Sequence, residues 1–343
     1  MTGLGRGVAG RDAAPPTSIG VYSFEDILGD GLMKVAFLRG LRTAFPGARI
    51  TWMTTLGSAF AHALRDVAGP PLLDEVVEHC GVGAAPREWL KPPPRLGPFD
   101  QLLDTQRLAW RSICAWRVPH RRFRTAATLR RGIDGAPVGP HALDMLFALL
   151  ETTAGRAVPR DLAPLTLPAA LIAAAREALP GPGTRRIAIA PGAGGATRRW
   201  PLERFAAVAR AQSAAGREPV FLLGPEDAAK RAVLAAEVPG AAFPEDHPAF
   251  ATLLRDAGPK PLRAVACAAR CAAGVANDGG PGHMIAAAGT PLVSLFGPSS
   301  PAKFRPVSAR VGVVRAQDFG GPEMHRIPVE AATEALERLL AEA

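Results

Sequence analysis

Residues 273–301, AGVANDGGPGHMIAAAGTPLVSLFGPSSP, constrain the fold more than any other stretch of the chain. The apolar run Ala272–Ala276 reads as a short buried strand and ends at Asn277-Asp278. A small-residue turn, Gly279-Gly280-Pro281-Gly282, comes next. His283–Ala288 then reads as helix and Pro291–Phe296 as a second buried strand. Strand, glycine turn, helix, strand is how an α/β fold builds a site for an anionic ligand. The start of the helix leaves N–H groups unpaired and carries the positive end of the helix dipole. Asp278 and His283 bracket the turn, which places a carboxylate and an imidazole where a ligand would sit. A capping Asp and a structural His are the alternative roles of these two residues.

The alternation of strand and helix runs through both halves of the chain. The first half offers strand Ile19–Ser23, helix Asp30–Phe45 closed by Pro46-Gly47, and strand Arg49–Thr54. Leu73–Glu78 and Gln101–Thr105 read as further strands, and Leu143–Thr152 as a helix ending near Gly155. The proline-rich stretches RAVPRDLAPLTLPAA and LPGPGT mark linker or irregular segments. From Arg186 the alternation restarts with IAIA, a glycine loop, helix Leu202–Ala215, strand Val220–Leu223 and helix Asp227–Val238. Val329–Ala343 reads as a terminal helix with Ala332, Leu336, Leu339 and Leu340 as its apolar stripe. Strands alternating with helices of about 10–15 residues argue for parallel sheets in βαβ units. At 343 residues the chain is long for one core and fits two domains.

Composition narrows the function classes. A hydrophobic content of 48% and a mean hydropathy of +0.10 describe a globular protein. No apolar run reaches the roughly 18 residues of a membrane span, so none is expected. The opening MTGLGRGVAGRDAAPPTS lacks the apolar core of a secretory signal and reads as a disordered tail. Its glycines precede any strand and so are no nucleotide fingerprint. The net charge of +9 is carried almost wholly by arginine. Biased base composition explains much of that excess; attraction to an anionic partner is the functional alternative. The densest cluster is RVPHRRFRTAATLRR, Arg117–Arg131. With one Tyr and 6% aromatics there is little for base stacking, so no nucleic-acid partner is expected. The four cysteines are too few for a disulfide framework and fit a reducing cytoplasm. Cys267 and Cys271 lie one helical turn apart, but no second Cys or His pair lies near to complete a metal site. They are expected to be small buried helix residues.

NDGGPGHMIAAAGTPLVSLFGP (277–298) resembles the signature of glycosyltransferase family 9, the bacterial lipopolysaccharide heptosyltransferases. Three more segments carry the likeness. SIGVYSFEDILGDGLMKVAFLRGLRTAFPGARITWM (18–53) resembles the family's N-terminal strand–loop–helix, with Gly29-Asp30 matching its Gly-Asp pair. FDQLLDTQRLAWRS resembles an internal block, and IAIAPGAGGATRRWPLERFAAVA the P-G-A loop and W-P helix start. GPEDAA resembles a further short element. The resemblance implies an α/β fold of GT-B architecture, with two Rossmann-like parallel-sheet domains facing across a cleft. Mapped onto this chain it gives a disordered tail (1–17), an acceptor-side domain (18–165) and a linker (166–185). A nucleotide-sugar domain (186–327) and a C-terminal helix (328–343) complete it.

Sugar transfer from a nucleotide donor requires these residue types. The attacking hydroxyl must lose a proton, so a carboxylate must lie within hydrogen-bond reach. The resemblance assigns that base to Asp30, for which helix N-cap is the alternative role; Glu25 and Asp26 are nearby rivals. The leaving diphosphate must have its charge neutralised. Many glycosyltransferases do this with a metal held by D-x-D, and no two aspartates here have that spacing. A metal-free, cofactor-free route through backbone N–H groups, helix dipole and cationic side chains is therefore expected. Gly194, Thr197, Arg198, Asp278, Gly279, Gly280 and His283 are the candidate donor-binding residues. Arg198 stands where the family carries Lys, and it could equally be a solvated helix start. Gly279 replaces the family's Ser or Thr, and Gly282 its usual small apolar residue.

The resemblance implies a cytoplasmic, inverting enzyme, monomeric, with ADP-heptose as donor and an anionic glycolipid, the lipopolysaccharide core, as acceptor. Peripheral contact with the inner membrane goes with that acceptor. Two alternatives stand beside it: another nucleotide sugar and surface glycan on the same fold, or a degenerate member acting as a binding or scaffold protein. Gly279 and Arg198 favour the last, whereas Asp30, Asp278 and His283 oppose it. The candidate acceptor loops, 56–70 and 86–100, carry no motif.

Overall fold

A computed structural model describes residues 14–342 except 70, 93, 225, 226, 228 and 252–260. Most of the expected tail, residues 1–13, lies outside the described residues. Thr17 is tied down: its N–H and hydroxyl donate to the Asp100 carboxylate at 2.9 and 2.7 Å.

Two five-stranded sheets form the frame, and every strand pair in them is parallel. The first contains β1 (Ser18–Ser23), β2 (Arg49–Thr54), β3 (Glu75–Val77), β4 (Phe99–Asp104) and β5 (His120–Thr125), ordered β3-β2-β1-β4-β5. Its helices are α1 (Leu28–Ala44), α2 (Arg65–Ala68), α3 (Ala109–Trp116) and α4 (Ala142–Ala154). The second sheet contains β6 (Arg186–Ala190), β7 (Glu218–Phe221), β8 (Ala273–Asn277), β9 (Leu292–Phe296) and β10 (Val311–Arg315), ordered β10-β9-β8-β6-β7. Around it lie α5 (Ala169–Ala178), α6 (Leu202–Ala214), α7 (Lys230–Glu237), α8 (Pro261–Ala268), α9 (Gly280–Ala287), α10 (Pro301–Phe304) and α11 (Val329–Ala341).

The central strands are buried on both faces, as a parallel sheet covered by helices requires. α1 fits against the first half's other elements because Gly31 and Gly40 lack side chains. A Cβ at Gly31 would lie 2.8 Å from Leu64 Cδ1, and one at Gly40 would lie 3.0 Å from Leu150 Cδ2 of α4. Gly155, near which the sequence places the end of this helix, caps α4 in the left-handed conformation. α11 buries Ala332, Leu336 and Leu339 in the core of the second sheet, while Leu340 packs against it half-buried.

Two stretches fold differently from the sequence reading. Residues 166–185, expected as linker, hold α5, and its Ala174 and Ala175 share a buried cluster with Ala188 and Ala190 of β6. Prolines flank this helix rather than fill it. The arginine-rich stretch after Arg117 contains β5, a sheet-edge strand, where charged side chains suit an exposed edge. Strand alternation then splits the cluster. Arg121 reaches Asp100 at 3.4 Å, while Arg122 and Arg124 fall on the opposite face. Arg117 donates to the carbonyls of Lys91 and Pro92.

The two halves meet where α1 contacts α9. Leu165 N–H donates to Ala287 O at 2.7 Å, and Arg39 donates to Ala163 O at 2.6 Å, pinning the connection between the halves.

Candidate active site

In each sheet the chain reverses its direction of travel at one point, and a crevice opens there beyond the carboxyl ends of the strands. In the second sheet that point lies between β6 and β8. The loop after β6 carries Gly194, and the turn after β8 carries Asp278, Gly279 and Gly280. Topology thus gathers candidates separated by more than eighty positions in sequence.

Asn277, the last residue of β8, fixes this arrangement. Its Nδ2 donates to Pro191 O at 2.8 Å and its Oδ1 accepts from Trp200 N–H at 3.0 Å, holding both ends of the glycine loop. Trp200 is anchored in turn, with Nε1 donating to Ile327 O at 3.0 Å and its ring edge-on to Phe205. The loop does not open α6 directly. A 3-10 turn, Ala196–Arg198, intervenes, and α6 starts at Leu202. Thr197 is exposed on that turn, next to Arg198. Gly192 has no room for a side chain, because a Cβ there would lie 2.6 Å from Asp227 Oδ2. Asp227 is itself paired with Lys230.

Asp278 is buried, and its carboxylate accepts from Ser299 Oγ. Arg198 Nη1 stands 3.8 Å from the same carboxylate, and the guanidinium folds over the loop, 3.2 Å from where a Gly194 Cβ would lie. Burial raises the Asp278 carboxyl above the ordinary range, with Ser299 and Arg198 opposing. Gly279 caps α9 in extended backbone that any residue can adopt. A Cβ there would meet Ala193 and Gly194 at 3.6–3.9 Å, an ordinary contact, so the position has space for a serine. Gly280 faces open space.

In the first sheet the reversal lies between β1 and β4, and β1 leads into α1. The N-cap of α1 is Ile27, which offers no side-chain cap, so Asp30 sits inside the first turn and is not the cap. Its half-buried carboxylate accepts no hydrogen bond among the described residues. Burial raises its pKa above the ordinary value, Lys34 opposes this, and Asp26 and Glu25 add to it. Asp26 is differently placed: it accepts from Trp52 Nε1 at 2.6 Å, Ser58 Oγ at 3.1 Å, Ser23 Oγ at 3.0 Å and Lys34 Nζ. Four donors take up the buried Asp26 carboxylate, whereas that of Asp30 has no such partner among the described residues.

The two crevices share a wall. A Cβ on Gly29 would lie 3.2 Å from His283 Cδ2 and 3.7 Å from Gly280 Cα. Asp30 therefore follows directly the residue that touches the start of α9. His283 is buried, and its ring makes no hydrogen bond among the described residues. Burial, helped by His141, pushes its pKa down to about 4, so the ring is neutral near neutral pH. His141 bridges the halves from the α4 N-cap. Its Nδ1 accepts from Leu143 N–H at 3.1 Å and its Nε2 faces Arg305 O at 3.0 Å, so the tautomer serving both carries its proton on Nε2.

The family model for glycosyltransferase family 9 (heptosyltransferase) matches residues 105–331. The chain belongs to glycosyltransferase family 9. It is a glycosyltransferase enzyme of GT-B fold. A family 9 glycosyl transferase from Veillonella parvula superposes with a TM-score of 0.69 at 22% identity, covering 95% of this chain and 98% of that one. ADP-heptose lps heptosyltransferase II from E. coli gives 0.63 at 22% identity over 95% and 99% of the two chains. The E. coli heptosyltransferase WaaC with ADP gives 0.65 at 15% identity over 94% and 99%. No curated protein gives a significant sequence match.

In this glycosyltransferase three residues that sequence reasoning did not single out, Asn277, Ser299 and His141, hold the candidate loops and join the halves. Asn277 passed as a strand end, although its place beside Asp278 was a signal. Ser299 and His141 carried none, since Asp278 and Arg305, the partners that give them their place here, are distant in sequence. Among the described residues no three His, Cys, Asp or Glu side chains cluster as a metal-ligand set. No described helix is long and apolar enough to cross a membrane. Cys267 is buried in the second half's core, and burial raises its thiol pKa.

Proposed function

We propose that this family 9 enzyme transfers heptose from ADP-heptose to a lipopolysaccharide-core or related cell-envelope acceptor, with inversion and without a metal. The observation that carries the reading is the Asp30 carboxylate, without a hydrogen-bond partner among the described residues and one residue from the contact between α1 and α9. Asp30 takes the proton of the acceptor hydroxyl as its oxygen bonds to the anomeric carbon. The bond from that carbon to the diphosphate breaks on the opposite face, and ADP leaves with the electron pair. Its charge falls against the N-terminus of α9, where Gly280 and Gly282 offer N–H groups, with Arg198 alongside. Asp278, Gly279 and His283 shape the donor pocket, and Gly194 and Thr197 line its loop side.

The donor nucleotide is assigned by analogy with the E. coli heptosyltransferase solved with ADP. The domain limits proposed from sequence, 18–165 for the acceptor side and 186–327 for the donor side, suit this division of labour. A monomer working at the cytoplasmic face of the inner membrane completes the reading. Gly279 favours one second reading, another nucleotide sugar, because the space beside Gly194 accepts a larger group.

Calorimetric titration with ADP and with ADP-heptose tests the assignment. Binding of both is expected, with ADP-heptose at least as tight. ADP binding with no ADP-heptose binding selects another sugar. Binding of neither contradicts an enzyme that uses an ADP-sugar.

A further inference from the structure

Four of the exposed apolar side chains of the first half sit on two elements that are in contact, the Pro86–Leu90 turn and α3. Trp89 and Leu90 are 60% and 70% exposed, and Ile113 and Trp116 are 56% and 61% exposed. The first pair sits on the 3-10 turn Pro86–Leu90, the second on α3, where a spacing of three places both on one helix face. Turn and helix pack together, and Arg117 joins their edges by donating to the carbonyls of Lys91 and Pro92. Two exposed tryptophans beside exposed Leu and Ile form a patch that water alone does not explain.

The charge around this patch has one sign. Residues 84–124 carry nine Lys or Arg and three Asp or Glu. Two of the three acids, Glu88 and Asp104, are buried. Glu88 accepts from the backbone N–H groups of Gly83, Ala84 and Ala85, so its charge is spent inside the turn. Arg87, Lys91 and Arg95 are exposed and make no ion pair among the described residues. Tryptophan with apolar neighbours and flanking cations matches a bilayer interface with anionic headgroups, where rings sit at headgroup level and cations meet phosphate. A protein partner of opposite charge would meet the cations but would not need two exposed indoles beside them. α3 starts just past the carboxyl end of β4, the end on which the acceptor-side crevice opens, with half-exposed Leu108 between them.

We propose that the face formed by α3 and the Pro86–Leu90 turn lies on an anionic lipid bilayer and presents the acceptor-side crevice to the membrane surface. The inference rests on the lipid-borne acceptor of the proposed function for its purpose. Its test contains no sugar and stands or falls separately.

The whole protein is mixed with vesicles of phosphatidylglycerol and phosphatidylcholine in equal parts, or of phosphatidylcholine alone. Co-sedimentation and tryptophan emission are read. Trp52 and Trp200 are buried and Trp110 packs against a core cluster, so a blue shift on binding reports chiefly Trp89 and Trp116. The expected result is binding with a blue shift on the anionic vesicles and at least about tenfold weaker binding on the neutral ones. Trp89→Ser with Trp116→Ser is expected to weaken binding by about tenfold or more. Arg87→Gln, Lys91→Gln and Arg95→Gln are each expected to weaken it by about fivefold. All variants should keep the wild-type thermal midpoint and ADP affinity, because every substituted side chain is exposed and outside the donor crevice. Three results overturn the proposal: no wild-type binding to anionic vesicles, unchanged binding by the double tryptophan variant, or a wild-type oligomer that this variant turns into monomer. The last would make the face a contact between copies of the chain.

Discussion

Asp30→Asn is expected to lower the rate of sugar transfer by about 10²–10⁴-fold while leaving the affinity for ADP within about twofold. Asparagine keeps the size of the side chain and its place in the first turn of α1 but accepts no proton. Helix stability should hardly change, because Ile27 and not Asp30 occupies the N-cap. The pH profile gives a second readout. Burial raises the Asp30 pKa, and the base works only when ionised. Wild-type activity should therefore fall with acidification through a midpoint above the ordinary carboxylate range, and the variant's residual rate should lack that limb. Asp26→Asn should behave differently, losing stability before chemistry, since four donors converge on that buried carboxylate. A turnover above about a tenth of wild type in Asp30→Asn would remove Asp30 from the role of base.

Asn277→Ala is expected to destabilise the protein by about 2–5 kcal/mol and to weaken ADP binding by at least about tenfold. The side chain is fully buried, and its removal strands Pro191 O and Trp200 N–H away from water, each costing about 1–3 kcal/mol. Donor affinity suffers because the glycine loop that should face the diphosphate loses both of its tethers. Asn277→Asp should be comparably damaging, since it sets a carboxylate oxygen against the Pro191 carbonyl. Urea unfolding and ADP titration of the same preparations check both effects. A stability within about 0.5 kcal/mol of wild type, with unchanged ADP affinity, would show that the loop holds itself.

How far the sequence could be read differs from element to element for physical reasons. β8, the glycine turn, α9 and β9 were legible because their signals are local: a short apolar run, unhindered residues, a helix, a second apolar run. α11 was legible because its stripe buries against a single partner surface. β5 was hidden, because an edge strand needs no apolar alternation and this one is rich in arginine. α5 was hidden by the prolines on either side of it. Of the candidate site residues, Asp30 was picked out through resemblance and Asp278 through its place at the glycine turn. The choice between Asp30 and Asp26 required hydrogen-bond partners more than twenty-five positions away, Trp52 and Ser58. The approach of Gly29 to His283 depends on how the two halves dock and leaves no mark in either segment alone.

The central claim, direct displacement by a base-activated acceptor without a metal, is tested most directly by the configuration of the product's new linkage. The protein is incubated with ADP-heptose and a core-truncated lipopolysaccharide in excess EDTA, and the product is examined by NMR at the anomeric carbon. The account predicts a single new glycosidic bond of configuration opposite to that of the donor, with ADP released in equal amount. A retained configuration, or transfer that stops with EDTA and returns on adding a divalent ion, would contradict it.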